Sequence, residues 1–383
     1  MFAGAAGVPV LALETRKQPG AKIRVSGGGR CNVLPSVMSV DDFSTHGSAN
    51  AMRNVLMSWP LADVKRFFVS DLGLAMKVEN TGKMFPVSDR SKDVVDALLA
   101  GMSRASVTLR GEARVASIQP GFVLTLEGGE TIHTDRVLLS GGGLSMPRTG
   151  SDGATWGMAR RAGHTVLPTY PALVPLLTAE ADWQALSGLS LPVKLSARVG
   201  NKVVAETTND FLFTHTTFSG PSVLDISQHF TKPESTATLH ASWAPQDWDA
   251  LLTQPGKRSI VTMIRDYVPR RLADTLLARA DLPLERTTSE LSREQRRRLV
   301  EILDACELSV TGSEGYKTAE VTAGGIPLDE FSLKTLESKR IPGLYVAGEM
   351  LDVKGRIGGF NFLWAWVTGR KVGQAIAKAL EIG

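Results

Sequence analysis

One stretch near the C-terminus constrains the fold more than any other. Leu344-Tyr345-Val346-Ala347 is an apolar run short enough to be a strand buried on both faces. It runs into Gly348-Glu349, continues through Asp352 and Gly355, and reaches Gly358-Gly359-Phe360-Asn361, where a helical pattern opens and extends to Ile382. A buried strand, a glycine-rich turn and a helix in that order close a doubly wound α/β sheet. A plain strand–turn–helix does not account for a carboxylate, paired glycines and an asparagine at these places.

The N-terminal part has the same texture. Val8 to Leu13 is a short apolar run that predicts a buried parallel strand, and it ends at Glu14. An acidic residue there can accept hydrogen bonds from an adenosine ribose, although acidic residues end many strands. Ser26-Gly27-Gly28-Gly29-Arg30-Cys31-Asn32 follows. Three glycines allow close backbone approach to a ligand and can turn N–H groups toward an anion, and Arg30 and Lys22 could add positive charge near a pyrophosphate. Helical periodicity covers Ala51 to Leu74, and Ser91 reads as the cap of a helix to Gly101. Arg114–Ile118, Phe122–Leu126 and Thr131–Thr134 read as strands, the last two joined at Gly128-Gly129. Arg136 to Leu139 is another buried strand, running into Gly141-Gly142-Gly143, and Gly153 to Gly163 looks helical.

The pattern changes near Leu167. Short alternating segments such as VKLSARV and KVVAETT predict an antiparallel β-rich region to about residue 245. A helical, charged stretch then runs to about Leu308. The simplest account is an α/β domain over residues 1–166 and 320–383, interrupted by a β-rich domain (167–245 with 309–319) that carries a helical subdomain (246–308).

Composition narrows the chemistry. The 383 residues suit two or three domains, with 43% hydrophobic and 21% charged residues as in ordinary globular proteins. No apolar run approaches the ~20 residues of a membrane span. The apolar first residues lack the basic start of a signal peptide. Cys31 and Cys306 have no CxxC spacing, which points to a reducing compartment, hence a cytoplasmic location, and no metal site. A net charge of +4 and a pI near 9.0 tolerate an anionic cofactor or RNA without demanding either. Of six histidines none pairs at metal spacing. His215, in FLFTHTTFSGP, is the one weak candidate for catalysis, and a structural role is its alternative. Cys31 could be redox-active or merely a small buried thiol. Arg293, Arg296, Arg297 and Arg298 could touch RNA phosphates or form a solvated helix face.

Read chemically, a carboxylate after the Leu344 strand can hold ribityl hydroxyls. The helix N-terminus beyond Gly358 puts partial positive charge where a flavin N1/O2 edge becomes anionic on reduction. KIRVSGGGRCN, GKMFPVSDRSKDVVDAL, the stretch from Gly141 through PRTGSDG to AGHTV, PALVPL, FLFTHTTFSGPSVL, EVTAGGIPLDEFSLKTLESK and GLYVAGEMLDVKGRIGGFNFLWAW together resemble the BaiN/YhiN-type flavoproteins, NAD(P)/FAD-dependent oxidoreductases. The resemblance covers nearly the whole chain in order. It implies a Rossmann-like FAD-binding domain of the two-dinucleotide-binding type, with an inserted β-barrel-like domain and a small helical subdomain. It also implies FAD contacts at Glu14, the Ser26 to Asn32 loop, the backbone near Val115, Gly141 and Gly142, Gly348, Glu349, Asp352, and the turn Gly358, Gly359, Phe360, Asn361.

Such a protein is expected to pass hydride from a nicotinamide through the flavin to an activated C=C or C=N bond of a small molecule. The competing readings are an amine oxidase using O2 and an rRNA-associated flavoprotein reducing uridine. Neither the substrate, the choice of NADH or NADPH, nor the oligomeric state has a signature here. One departure from the resemblance stands out. Gly4-Ala-Ala-Gly7 imitates the glycine fingerprint but directly precedes the Val8 strand, and fits better as a helix end. The expected glycine turn lies ~20 residues before the acid, upstream of Met1, so the first strand and its turn are expected to be missing from the chain as given.

Overall fold

The computed structural model describes residues 1–254 and 256–380. Two compact units emerge: Met1–Pro171 with Glu320–Gly383, and Ala172–Ala319.

In the first unit, Phe2–Ala5 form a helical turn that Gly7 leaves at φ +86. Strand β1 (Val10–Leu13) pairs in parallel with β2 (Val107–Arg110). Between them lie the short helix α1 (Ala21–Val25) and the longer α2 (Ser91–Arg104). Strand β3 (Val137–Leu139) pairs in parallel with β4 (Leu344–Val346), which leads to α3 (Phe360–Leu380). Residues 381 and 382, the expected end of that helix, lie outside the described residues. An antiparallel three-stranded sheet of Val115–Gln119, Val123–Leu126 and Thr131–His133 lies between β2 and β3 in sequence, with Gly129 at φ +83 in its second turn.

Local chemistry departs from the sequence expectations in four places. Pro60 interrupts the expected Ala51–Leu74 helix, which becomes Ala49–Leu56 and Leu61–Arg66, because the residue before a proline is pushed out of helical geometry. Ser91 is not a cap: it occupies the first turn of α2, and its hydroxyl donates to the Arg24 carbonyl at 2.9 Å. β1 is parallel but not buried, with Leu11 43% exposed, because β2 is its only partner among the described residues. The β1–β2 and β3–β4 pairs are likewise not hydrogen-bonded to each other, and Leu138 of β3 is 37% exposed. Of β1 to β4, β4 alone is buried along its whole length.

The second unit holds a seven-stranded antiparallel sheet in the order Cys306–Leu308, Thr238–Ser242, Ser190–Val199, Lys202–Phe213, Thr217–Ser219, Leu176–Leu177, Gly312–Ser313. Its end strands are not hydrogen-bonded to each other among the described residues, so hydrogen bonds do not close it into a barrel. Helices Arg270–Arg279 and Arg293–Asp304 share one apolar core with the strands, through Leu272, Leu276, Leu299 and Leu303. A reciprocal cap opens the second helix: the Ser292 hydroxyl accepts from Gln295 N, and the Gln295 side chain accepts from Ser292 N, both at 3.1 Å. The exposed arginines of that helix are partly spoken for. Arg296 pairs with Asp249 at 3.4 Å, and Arg298 donates to the Arg279 carbonyl at 3.0 Å. No helix among the described residues is long and apolar enough to cross a membrane.

The core of this unit is aromatic. Phe211 is fully buried, with its ring centroid 4.8 Å from Phe213, 5.4 Å from Phe218 and 5.9 Å from Trp243. Phe211→Ala is expected to cost about 3–5 kcal/mol, read as a lower urea midpoint for loss of the near-ultraviolet circular dichroism of this cluster.

Candidate cofactor and active site

β4 delivers Glu349 to the centre of the first unit. Its Oε2 accepts from Lys22 Nζ at 2.6 Å; its Oε1 accepts from Ser145 Oγ at 2.7 Å and from Thr322 N at 2.8 Å. Ser145 in turn accepts from Lys22 at 2.6 Å, so its hydroxyl proton is directed at the carboxylate. The Thr322 hydroxyl accepts from Leu144 N and Ser145 N at 2.8 and 3.0 Å. Burial pushes the Glu349 carboxyl up, but the adjacent Lys22 charge and the hydrogen bonds from Lys22, Ser145 and Thr322 outweigh it and hold the group below its ordinary value. Two of the three Lys22 ammonium protons are used, which leaves one for a ligand.

The loop after β3 lies against this centre. A Cβ on Gly142 would stand 3.6 Å from Glu349 Oε2, and one on Gly143 would stand 2.5 Å from the Thr322 hydroxyl. Gly141 is closed off by Thr155, at 2.4 Å from the same virtual atom. Gly348 is held by α3: its N–H donates to the Thr368 hydroxyl at 3.0 Å and its carbonyl accepts from the Trp364 indole at 3.1 Å.

The glycine loop after α1 and the turn before α3 also meet. The Asn32 side chain is placed to donate to the Leu34 carbonyl and to accept from Gly359 N, both at 3.1 Å. Gly359 sits at φ +89, and a Cβ there would stand 2.7 Å from the Leu34 carbonyl carbon. Asn361 ties the turn from inside, with its oxygen accepting from Gly355 N at 2.8 Å and its nitrogen donating to Gly355 O at 2.9 Å. Phe360 is buried against Phe43, with ring centroids 5.7 Å apart, so its backbone rather than its ring is available. Gly27, Gly28 and Gly29 take φ values of +55, +68 and +85. Nothing lies within 4 Å of a Cβ on Gly28 or Gly29, so the backbone of this loop is open to a ligand.

Other expected residues have other employment. Arg30 donates to Glu79 at 2.6 Å and lies over the Phe85 ring at 4.1 Å. The Ser26 hydroxyl donates to the Ile23 carbonyl at 2.8 Å. Glu14 turns one carboxylate oxygen back to Arg16 N at 2.8 Å, and its backbone bonds Arg110 and Ala113, close to Val115. Cys31 is fully buried with its thiol pushed up to about 12 by burial, so it carries no thiolate for redox chemistry. His215 is exposed in the turn between two strands of the second unit.

Asp352 contacts residues that sequence reasoning did not single out. Its Oδ2 accepts from Thr45 Oγ1 at 3.0 Å and His46 N at 2.8 Å, and its Oδ1 lies 2.8 Å from His46 Nδ1. His46 Nε2 lies 3.2 Å from the Tyr170 hydroxyl. No spacing signal joins residues so far apart in sequence. Ser145 and Thr322, by contrast, lie inside glycine-rich motifs already singled out.

The sequence signature of the HI0933-like protein Rossmann domain matches residues 1–375. The chain belongs to this family. Relatives span nearly the whole length. A ribosomal RNA dihydrouridine synthase of Escherichia coli K12 is 32% identical, over 99% of this chain and 94% of the relative. A 3-dehydro-bile acid delta(4,6)-reductase of Clostridium scindens is 31% identical, over 96% of this chain and 93% of the relative. A ribosomal RNA dihydrouridine synthase of Haemophilus influenzae is 29% identical, over 97% and 93%.

Because the carboxyl of Glu349 is held below its ordinary value, its stabilising contribution is complete above the unfolded value of about 4.3 and is lost as pH falls through the folded value. Glu349→Gln should therefore lower the melting temperature at neutral pH, and the gap from the wild type should shrink as pH drops below about 4.3. A gap that is constant from neutral to acid pH would show that the Lys22 pairing contributes nothing.

Proposed function

We propose that this HI0933-like protein is a FAD-dependent oxidoreductase in which NAD(P)H supplies electrons and an activated C=C or C=N bond of a small molecule accepts them. The observation that carries the reading is the entry to α3. Two glycines at positive φ precede a 21-residue helix that has no acidic residue in its first turn. Such an end favours negative charge.

The residues fit the flavin end of FAD. A Cβ at Gly359 would collide with the Leu34 backbone, so only glycine lets the turn before α3 pack on that segment. Lys22 keeps one ammonium proton for an oxygen-rich partner beside Glu349, the open Gly28 and Gly29 backbone could approach a phosphate, and the second carboxylate oxygen of Glu14 suits a ribose hydroxyl. Bound there, FAD would supply two-electron hydride chemistry. The chain's own part is to position it: the indoles of Trp364 and Trp366 and the hydroxyl of Thr368 hold the Gly348 and Val33 backbones on either side of the turn.

The two kinds of relative favour a reductase over an oxidase. Forming dihydrouridine and reducing a delta(4,6) bile acid both add two hydrogens across a carbon–carbon double bond. In the arginine-rich helix Arg296 and Arg298 have protein partners, whereas Arg293 and Arg297 are exposed and leave positive charge for an RNA acceptor.

Anaerobic NADH or NADPH is expected to bleach the visible flavin band of the FAD-loaded protein, and a conjugated enone should restore it. Bleaching by amines alone, with recovery only in O2, would establish the oxidase reading instead. Glu349→Ala should remove hydrogen bonds to a charged group of about 1.5–3 kcal/mol, a tenfold or greater loss of FAD affinity by fluorescence titration.

A further inference from the structure

In the series Asp352–His46–Tyr170, Asp352 is an expected FAD contact, whereas His46 and Tyr170 have no part in the reading above. Its three members come from distant segments of the first unit, and each link has hydrogen-bond geometry. The Asp352 side chain is 3% exposed and spends both oxygens on residues 45 and 46, gripping the His46 backbone as well as its ring. That grip fixes Nδ1 toward the carboxylate and leaves Nε2 for the Tyr170 hydroxyl. The two rings meet edge-on, with centroids 6.0 Å apart and an interplanar angle of 87°.

The middle of the chain is more exposed than its ends. Tyr170 is buried, with 6% of its surface accessible, whereas the His46 side chain is 36% exposed. A sealed phenol is thus joined to water through an imidazole. Burial first, and the Asp352 charge second, push the phenol up to about 12, so it keeps its proton at neutral pH and can act only as an acid there.

The chain is also fastened to the proposed flavin cradle. Phe43 and Ser44, just before His46, pair with Gly355 and Lys354, just after Asp352. Gly355 is bonded to Asn361 within the turn that opens α3. A shift of that turn would therefore be felt by His46.

We propose that Tyr170 is the proton donor of the acceptor step, oriented by His46, with Asp352 as the residue that positions that imidazole. The proposal rests on the reductase reading. Bound FAD would supply a hydride to one carbon of a conjugated C=C bond, and the electron pair of that bond would move to the other carbon as an enolate. The Tyr170 O–H bond breaks and its proton forms the new C–H bond. The tyrosinate regains its proton from water, which reaches this chain where the His46 side chain is 36% exposed. The sum is one hydride and one proton added across the double bond. His46 and Asp352 act only through Tyr170.

The test separates the two half-reactions on FAD-loaded protein without oxygen. After NADPH bleaching, reoxidation is followed with 2-cyclohexen-1-one, which must receive a proton at carbon, and with ferricyanide, which takes electrons alone. Tyr170→Phe should slow the enone reaction roughly 10²–10⁴-fold, the range of positioned proton transfer, while ferricyanide still reoxidises the flavin at the wild-type rate. Equal enone rates in Tyr170→Phe and wild type would overturn the proposal, and so would equal losses with both acceptors. The second readout needs no turnover: the ring-nitrogen chemical shifts of His46. Tyr170→Phe should move Nε2, and Asp352→Asn should change the tautomer. Shifts that ignore both substitutions overturn the orienting role of His46. If the wild type is neither bleached by NADPH nor reoxidised by the enone, the reductase reading fails and the donor role with it, whereas altered shifts would still show the hydrogen-bonded chain.

Discussion

The Lys22–Glu349 pair, at 2.6 Å, is the interaction on which the first unit depends. It joins α1, from the first tenth of the chain, to the end of β4, near its last tenth. An ion pair with one partner 19% and the other 26% exposed is not a large source of stability in itself. Its value lies in the groups it recruits. Ser145 bridges both charges, and Thr322 bonds Glu349 through its amide and the Leu144–Ser145 backbone through its hydroxyl. Four segments far apart in sequence therefore converge on one carboxylate. Removing that carboxylate would leave an ammonium, a hydroxyl and an amide without their acceptor, which costs more than the pair alone contributes.

α3 completes the arrangement from the other side. Its apolar residues Leu363, Trp364, Val367 and Val372 are buried in the core, while Trp364, Trp366 and Thr368 also use their polar atoms to hold backbone groups of two loops. The helix is thus both the packing element and the ruler that sets the Gly348 and Val33 loops. Its own start is fixed by Asn361 and Asn32, neither of which could be exchanged for an apolar residue without freeing backbone donors at Gly355 and Gly359.

Much of this was legible in the sequence because it depends on local signals. The β4 strand, the glycine turns, the hairpin at Gly128-Gly129 and the change to an antiparallel region all follow from periodicity and turn chemistry. What failed was what depends on neighbours. Val8 to Leu13 reads as buried from its composition, but burial of a parallel strand needs a partner on each edge, and periodicity does not count partners. Ser91 has the residue type of a cap, but Arg90 takes the cap position and the Ser91 hydroxyl donates to the Arg24 carbonyl instead. Nor does periodicity show that Glu79 and Phe85, from another segment, meet Arg30, whose side chain is still 40% exposed. Glycine runs announce themselves because glycine is rare and conformationally special; an arginine's partner does not.

The same distinction explains why His215 drew attention and His46 did not. A histidine between polar residues in a strand-flanked motif looks chemical in one dimension, yet in the fold it is an exposed turn residue. His46 sits in an unremarked stretch, and its chemistry is conferred entirely by Asp352 and Tyr170. An imidazole becomes directional only when one nitrogen is committed, since the tautomer is set by the hydrogen bond that the other nitrogen makes. Asp352 supplies that commitment. It can do so because its own oxygens are buried and held by Thr45 and the His46 amide, so the carboxylate cannot turn away to water. The strand pairing of residues 43–44 with 354–355 brings these groups together, and a strand pairing between segments some three hundred positions apart in the chain leaves no periodic trace that either segment alone could show.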